Sequence, residues 1–150
     1  MTGTGALDRI LGALVEGPGR PGPIVQGWAT VDLDRAATEL ASELGFSVAE
    51  FLWAPDSIVL GARCRVADGV LPGGTRLAIL EPRTEGRLAA ALARHGEGPL
   101  VAWARSSDAP TRRPATVRHG PFGPERLQPG GPPQGPFLLL IEDEPGTIHT

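Results

Sequence analysis

The side chains able to do chemistry in this chain are of few types. All 14 basic residues are arginine, against 17 acidic residues, three histidines and one cysteine. Without lysine there is no Schiff-base amine, no pyridoxal phosphate anchor and no phosphate-loop lysine. One cysteine, Cys64, excludes an intramolecular disulfide and a multi-cysteine zinc site, and its place among apolar residues predicts a core role. No G-x-S-x-G elbow is present for a serine nucleophile. The run Gly17-Pro18-Gly19-Arg20-Pro21-Gly22-Pro23 is not a phosphate loop, because prolines remove the amides such a loop needs. Carboxylates, arginines and isolated histidines remain. Arg63, Arg65 and Arg76 fall on strands expected to be neighbours, where they could receive a carboxylate or phosphate bidentately or simply solvate an outer face. His95 falls in the last turn of a helix, where it suits the dipole. His119 lies in a Gly/Pro-rich stretch and His149 near the end of the chain.

Length and charge narrow the classes further. A chain of 150 residues suits one domain with tails. The net charge of −3 and pI of about 5.6 argue against a nucleic-acid partner. The longest apolar run is too short to span a bilayer, and residues 1–23 lack a basic signal-peptide start. These features predict a cytoplasmic protein with no membrane partner. The 21 glycines and 16 prolines are unevenly spread: 13 of these 37 residues lie between 110 and 136, and only 13 in the 86 residues from 24 to 109. An ordinary folded segment therefore sits between two turn-rich ones.

The periodicities place the elements. Leu7, Ile10, Leu11, Leu14 and Val15 recur at helical spacing, and Gly17 can end that helix. Ile24 to Val31 reads as a strand. Leu33, Ala36, Ala37, Leu40, Ala41 and Leu44 make a helical stripe, with Asp32 or Asp34 to start it and Gly45 to end it. Strands are expected from Phe46 to Trp53, ended by Pro55, then from Ile58 to Val66 and from Arg76 to Glu81. In the middle strand Leu60, Ala62, Cys64 and Val66 face one way, and Arg63 and Arg65 the other. Thr84 is the expected cap of a helix whose stripe is Leu88, Ala91 and Leu92, with Gly96 past its end.

A second unit begins at Gly98. Gly22-Pro23-Ile24-Val25 matches Gly98-Pro99-Leu100-Val101 at an offset of 76, and Trp28-Ala29 matches Trp103-Ala104 at 75. Leu77-Ala78-Ile79-Leu80-Glu81 matches Leu138-Leu139-Leu140-Ile141-Glu142 at an offset of 61. A duplication whose second copy lost about 15 residues explains both offsets. Residues 106–116, where the second copy should carry its helix, show no apolar periodicity.

These residues resemble a known family. Ile24 to Ala36, with its Asp32-Leu33-Asp34 turn and the later Leu44-Gly45-Phe46, is similar to the opening of a glyoxalase-type module. Gly73 to Pro82, followed by Arg94-His95-Gly96-Glu97-Gly98, resembles the L-L-E-P and H-G-E-G stretches of methylmalonyl-CoA epimerases. The resemblance implies the vicinal oxygen chelate superfamily. The expected fold is α+β: two βαβββ-type modules forming a cupped mixed sheet, the second module shortened and degenerate, with an extra N-terminal helix. The expected division is an N-terminal helix and linker over 1–23 and a glyoxalase-like domain over 24–150, with modules at 24–97 and 98–143.

The superfamily usually holds a divalent metal with four residues, from the first and last strands of each module. The resemblance puts those positions at Gln26, Glu81, Val101 or Ala102, and Glu142. Neither Val101 nor Ala102 can bind a metal. Gln26, Glu81 and Glu142 could still hold a hard cation with waters. Alternatively Glu81 and Glu142 are catalytic acid/base groups without metal, their pKa values raised inside an apolar cup. Structural or solvated glutamates are the third possibility. Trp28 and Trp103 would wall a shared cavity or pack in the core, with Trp53 and Phe122 at its edge. The leading expectation is a binding protein for a small organic molecule (a metabolite, acyl-CoA or natural product), with no cofactor and as a homodimer. The alternatives are a divalent-metal-dependent isomerase or lyase of the epimerase type, and a protein-interaction module with a filled cup.

Overall fold

The computed structural model describes residues 23–70, 74–105, 117–128 and 135–141. Its elements run β1 (Pro23–Ala29), α1 (Leu33–Leu44), β2 (Phe51–Ser57), β3 (Ala62–Val70), β4 (Arg76–Pro82), α2 (Arg87–His95), β5 (Gly98–Arg105), β6 (Arg118–Gly120), β7 (Gly123–Leu127) and β8 (Phe137–Ile141). The expected helix over 7–15, the linker before Pro23 and residues 106–116 lie outside the described residues.

Local chemistry explains the first module's boundaries. Asp32 caps α1 by accepting from the Arg35 amide, and Gly45 ends it at a left-handed φ of 79°. The strand expected at Phe46 starts later, at Phe51. Ser47 and Glu50 form a reciprocal capping box around a short 3-10 turn, Val48–Glu50, and use up that stretch. β2 then continues through Pro55 to Ser57. Proline is tolerated there because β2 is an edge strand. β3 starts at Ala62 rather than Ile58, after a turn in which Gly61 takes φ 68°. α2 is capped by Gly86 without a side-chain bond, so Thr84 does not cap it, and Gly96 follows its last turn as expected.

All eight strands form one sheet in the order β2-β3-β4-β1-β5-β8-β7-β6. The order is symmetric about the antiparallel β1/β5 pair. β1 runs parallel to β4, and β5 parallel to β8. Gln26 pairs with Leu77 in the first half, and Ala102 with Leu138 in the second. Those partners are related by offsets of 76 and 61, the two offsets in the sequence. The edges curl together until the Ile58 amide donates to the His119 carbonyl at 3.3 Å, so the sheet is a nearly closed cup.

Two apolar clusters divide the faces. On the outer face Trp28, Phe51, Leu77 and Ile79 pack against Leu33, Ala36, Ala37 and Leu40 of α1. On the inner face Val25, Ala62, Cys64, Leu80, Val101, Trp103 and Leu139 pack together. Leu88, Ala91 and Leu92 of α2 join this inner cluster. Because α2 links the end of β4 to the start of β5, it plugs one end of the cup. Among the described residues no helix covers the other end. No helix among the described residues is long and apolar enough to cross a membrane.

Candidate functional site

Among the described residues, one carboxylate is buried inside the cup. Glu125 on β7 is fully buried. One of its oxygens accepts from the Ser57 hydroxyl on β2 at 2.6 Å, the other from the Trp103 indole on β5 at 2.9 Å. These bonds join β7, next to one edge of the sheet, to β2 at the other edge and to β5 at its centre. Burial pushes the Glu125 carboxyl above its ordinary pKa, and the two hydrogen bonds pull it back. Burial, together with the nearby Glu125 charge, pushes the Cys64 thiol up to about 12. Cys64 is therefore an inert core thiol. Two glycines make room for this cluster. A Cβ on Gly120 would collide with the Glu125 carboxylate, and one on Gly27 would meet Leu80 at 2.7 Å and the Trp103 ring at 3.0 Å.

Above this packed interior, at the open end, lies a cleft of about 360 Å³. It is lined by Ile24 and Val25 at the start of β1, Arg76 at the start of β4, Arg105 at the end of β5, Ile141 at the end of β8, and Phe122 from the β6–β7 turn. Its size is near the low end for small-molecule sites. Phe122 connects the cleft to the buried cluster: its ring packs edge-on against Trp103 with centroids 5.1 Å apart.

The same architecture occurs in solved structures. Methylmalonyl-CoA epimerase from Mycobacterium tuberculosis superimposes with a TM-score of 0.63 at 19% identity, covering 89% of this chain and 95% of that one. A variant of the Streptomyces coelicolor methylmalonyl-CoA epimerase, in complex with 2-nitronate-propionyl-CoA, gives 0.60 at 19% identity, covering 83% and 99%. A methylmalonyl-CoA epimerase in complex with methylmalonyl-CoA and ammonium gives 0.60 at 18% identity, covering 83% and 96%. This chain has the vicinal oxygen chelate, or glyoxalase-like, fold. No family model matches the sequence, and no curated protein matches it significantly.

Within this glyoxalase-like cup, the residues picked from sequence separate onto two faces. Trp103 is inside. Gln26, Trp28 and Glu81 are on the outer face and do not line the cup. Gln26 is buried, with its amide nitrogen donating to the Val101 carbonyl at 2.6 Å and its Oε1 unpartnered. Trp28 belongs to the α1 cluster. Glu81 Oε1 accepts from the Leu33 amide at the start of α1 (3.0 Å) and from the Arg63 guanidinium (2.8 Å). Glu142 lies outside the described residues, as does His149. The guanidinium carbons of Arg63 and Arg65 each lie 5.3 Å from the centre of the Trp53 ring, so these two arginines part company with Arg76. Phe122 edges the cup; Trp53 does not.

The four-ligand metal site implied by the fold does not suit these residues. Gln26 sits beside Leu77, and Glu81 is four residues further along β4, about 13 Å of strand. Two donors of one ion must be within a few ångströms of each other. Glu81 is also committed to a cation already. Among the described residues no group of three His, Cys, Asp or Glu side chains could hold a metal ion.

Sequence reasoning missed Glu125 and Arg105. Glu125 stands in Gly123-Pro124-Glu125-Arg126, where no apolar alternation marks a buried position. The one usable signal is the pair Gly120 and Gly123, which close the β6–β7 hairpin with Gly123 at φ 106°. That turn places Glu125 opposite Arg118 and next to the small Gly120.

Proposed function

We propose that this protein binds a small organic molecule at the open end of its cup, without a metal ion held by Gln26, Glu81 and Glu142. The cleft between β1, β4, β5 and β8 carries this reading. It is concave, mostly apolar and bordered by arginine. The acyl-CoA compounds named with two of the structural neighbours support a metabolite or acyl-CoA as the ligand class. The packed interior around Trp103 and Glu125 favours one second reading, a protein-interaction module whose cup is filled by its own side chains.

A fragment screen by ligand-observed NMR tests the proposal. Hits should bind the wild type and lose binding in Ile24→Trp, where the indole fills the cleft. Absence of hits, or hits indifferent to Ile24→Trp, would leave the filled-cup reading in place. Metal analysis of the purified protein tests the other half. One tightly bound divalent ion per chain, lost on Glu81→Gln, would overturn the metal-free reading.

A further inference from the structure

We infer that the ligand of this cleft carries a carboxylate or phosphoryl group on an apolar body, and that Arg76 receives it. The inference rests on the cleft being the ligand site and adds the ligand's charge.

The three half-buried arginines of the first module's strands show why. Arg63 is paired with Glu81 at 2.8 Å, and Arg65 reaches Asp34 at 3.6 Å. Arg76 has no carboxylate partner among the described residues. Its Nη2 donates to the Ala67 carbonyl at 3.2 Å, and its guanidinium carbon lies 6.0 Å from the centre of the Phe122 ring. One carbonyl satisfies one of five N–H groups. A half-buried guanidinium held on a cleft wall without a carboxylate is available to pair with an anionic ligand. Arg76 lines the cleft, where an oxyanion could accept two of its remaining N–H groups side by side. Ala67 and Phe122 hold the guanidinium at the cleft wall before the ligand arrives, which lowers the ordering cost of binding. Arg105 borders the same cleft. Ile24, Val25, Phe122 and Ile141 offer apolar surface for the remainder of the ligand. A carboxylate or phosphate ester on an aliphatic or aromatic body fits this arrangement, and a neutral amide or a cation does not.

The test uses matched probes on the full chain, titrated by saturation-transfer NMR: phenylacetate, phenyl phosphate and phenylacetamide. One or both acids should bind roughly tenfold or more tightly than the amide, as expected for charge-assisted hydrogen bonds, and the tighter of the two identifies the oxyanion. Arg76→Gln should reduce the acids to the level of the amide and leave the amide unchanged. Arg76→Lys should keep part of the preference, which separates loss of charge from loss of fold. Equal binding of acids and amide, abolished by Ile24→Trp, would overturn the anion inference while leaving the cleft as a ligand site. An acid preference that survives Arg76→Gln would overturn the role of Arg76. No binding of any probe at millimolar concentration, together with an empty fragment screen, would overturn both this inference and the function on which it rests.

Discussion

Glu81 and Glu125 are carboxylates on opposite faces of the same sheet, and they are held in opposite ways. Glu81 is partly exposed and answers a full positive charge on Arg63 as well as the amide end of α1. Glu125 is fully buried and meets only neutral donors, a hydroxyl and an indole. The outer face tolerates charge because water and a guanidinium share it. The inner face tolerates a carboxyl only through hydrogen bonding, and at a raised pKa. Among the described residues, the contrast places the buried acid in the second half of the sheet, in the turn-rich stretch from 110 to 136.

The largest effect should come from removing the inner carboxyl. Glu125→Ala leaves the Ser57 hydroxyl and the Trp103 indole without their acceptor and opens a hole behind Phe122. Urea unfolding should show a loss of about 3 kcal/mol. Glu125→Gln, which keeps shape and hydrogen bonding, should recover most of it. A loss under 1 kcal/mol for Glu125→Ala would mean that water replaces the carboxyl easily, and that the interior is more open than the packed cluster shows.

A pH series should give the next effect. The folded protein holds its Glu125 proton to higher pH than the unfolded chain does. Between the ordinary carboxylate value and the raised one, the folded state therefore binds more protons, and stability falls as pH rises. The slope from this group is at most about 1.4 kcal/mol per pH unit. It should disappear in Glu125→Gln and persist in Glu81→Gln. Parallel wild-type and Glu125→Gln curves across that window would remove the pKa difference from the comparison.

The two faces also differ in how far the sequence disclosed them. α1 was legible because Asp32, its apolar stripe and Gly45 are local signals that agree. The symmetry of the sheet was legible in the offsets of 76 and 61, which the strand registers reproduce. The sides of the sheet were less so. Trp28 and Trp103 match at an offset of 75, but the β1/β5 pairing shifts register between Gly27 and Ala29. One residue of slip reverses the face of a strand side chain. At the offset of 76 the counterpart of Trp103 is Gly27, and these two residues pack on each other inside the cup. Trp28 points outward to α1. Glu125 was hidden for another reason. Its partner Ser57 is 68 residues earlier in the chain, and its burial exists only once the edges of the sheet have curled together.

The smallest effect should come from the residue that looked most catalytic in the sequence. Glu81→Gln keeps an oxygen for the Leu33 amide but removes the charge facing Arg63. Both side chains retain solvent contact, at 22% and 33% exposure, so water screens what is lost. The expected cost is about 1 kcal/mol, from the ion pair and from the interaction with the α1 N-terminus. It should shrink further in molar salt, because exposed pairs are screened. The Glu125→Ala cost should hardly change there, because no ion reaches a fully buried group. A Glu81→Gln effect as large as that of Glu125→Ala and equally indifferent to salt would erase the distinction between the two faces. Glu81 would then have to be treated as a buried group whose charge the fold cannot release.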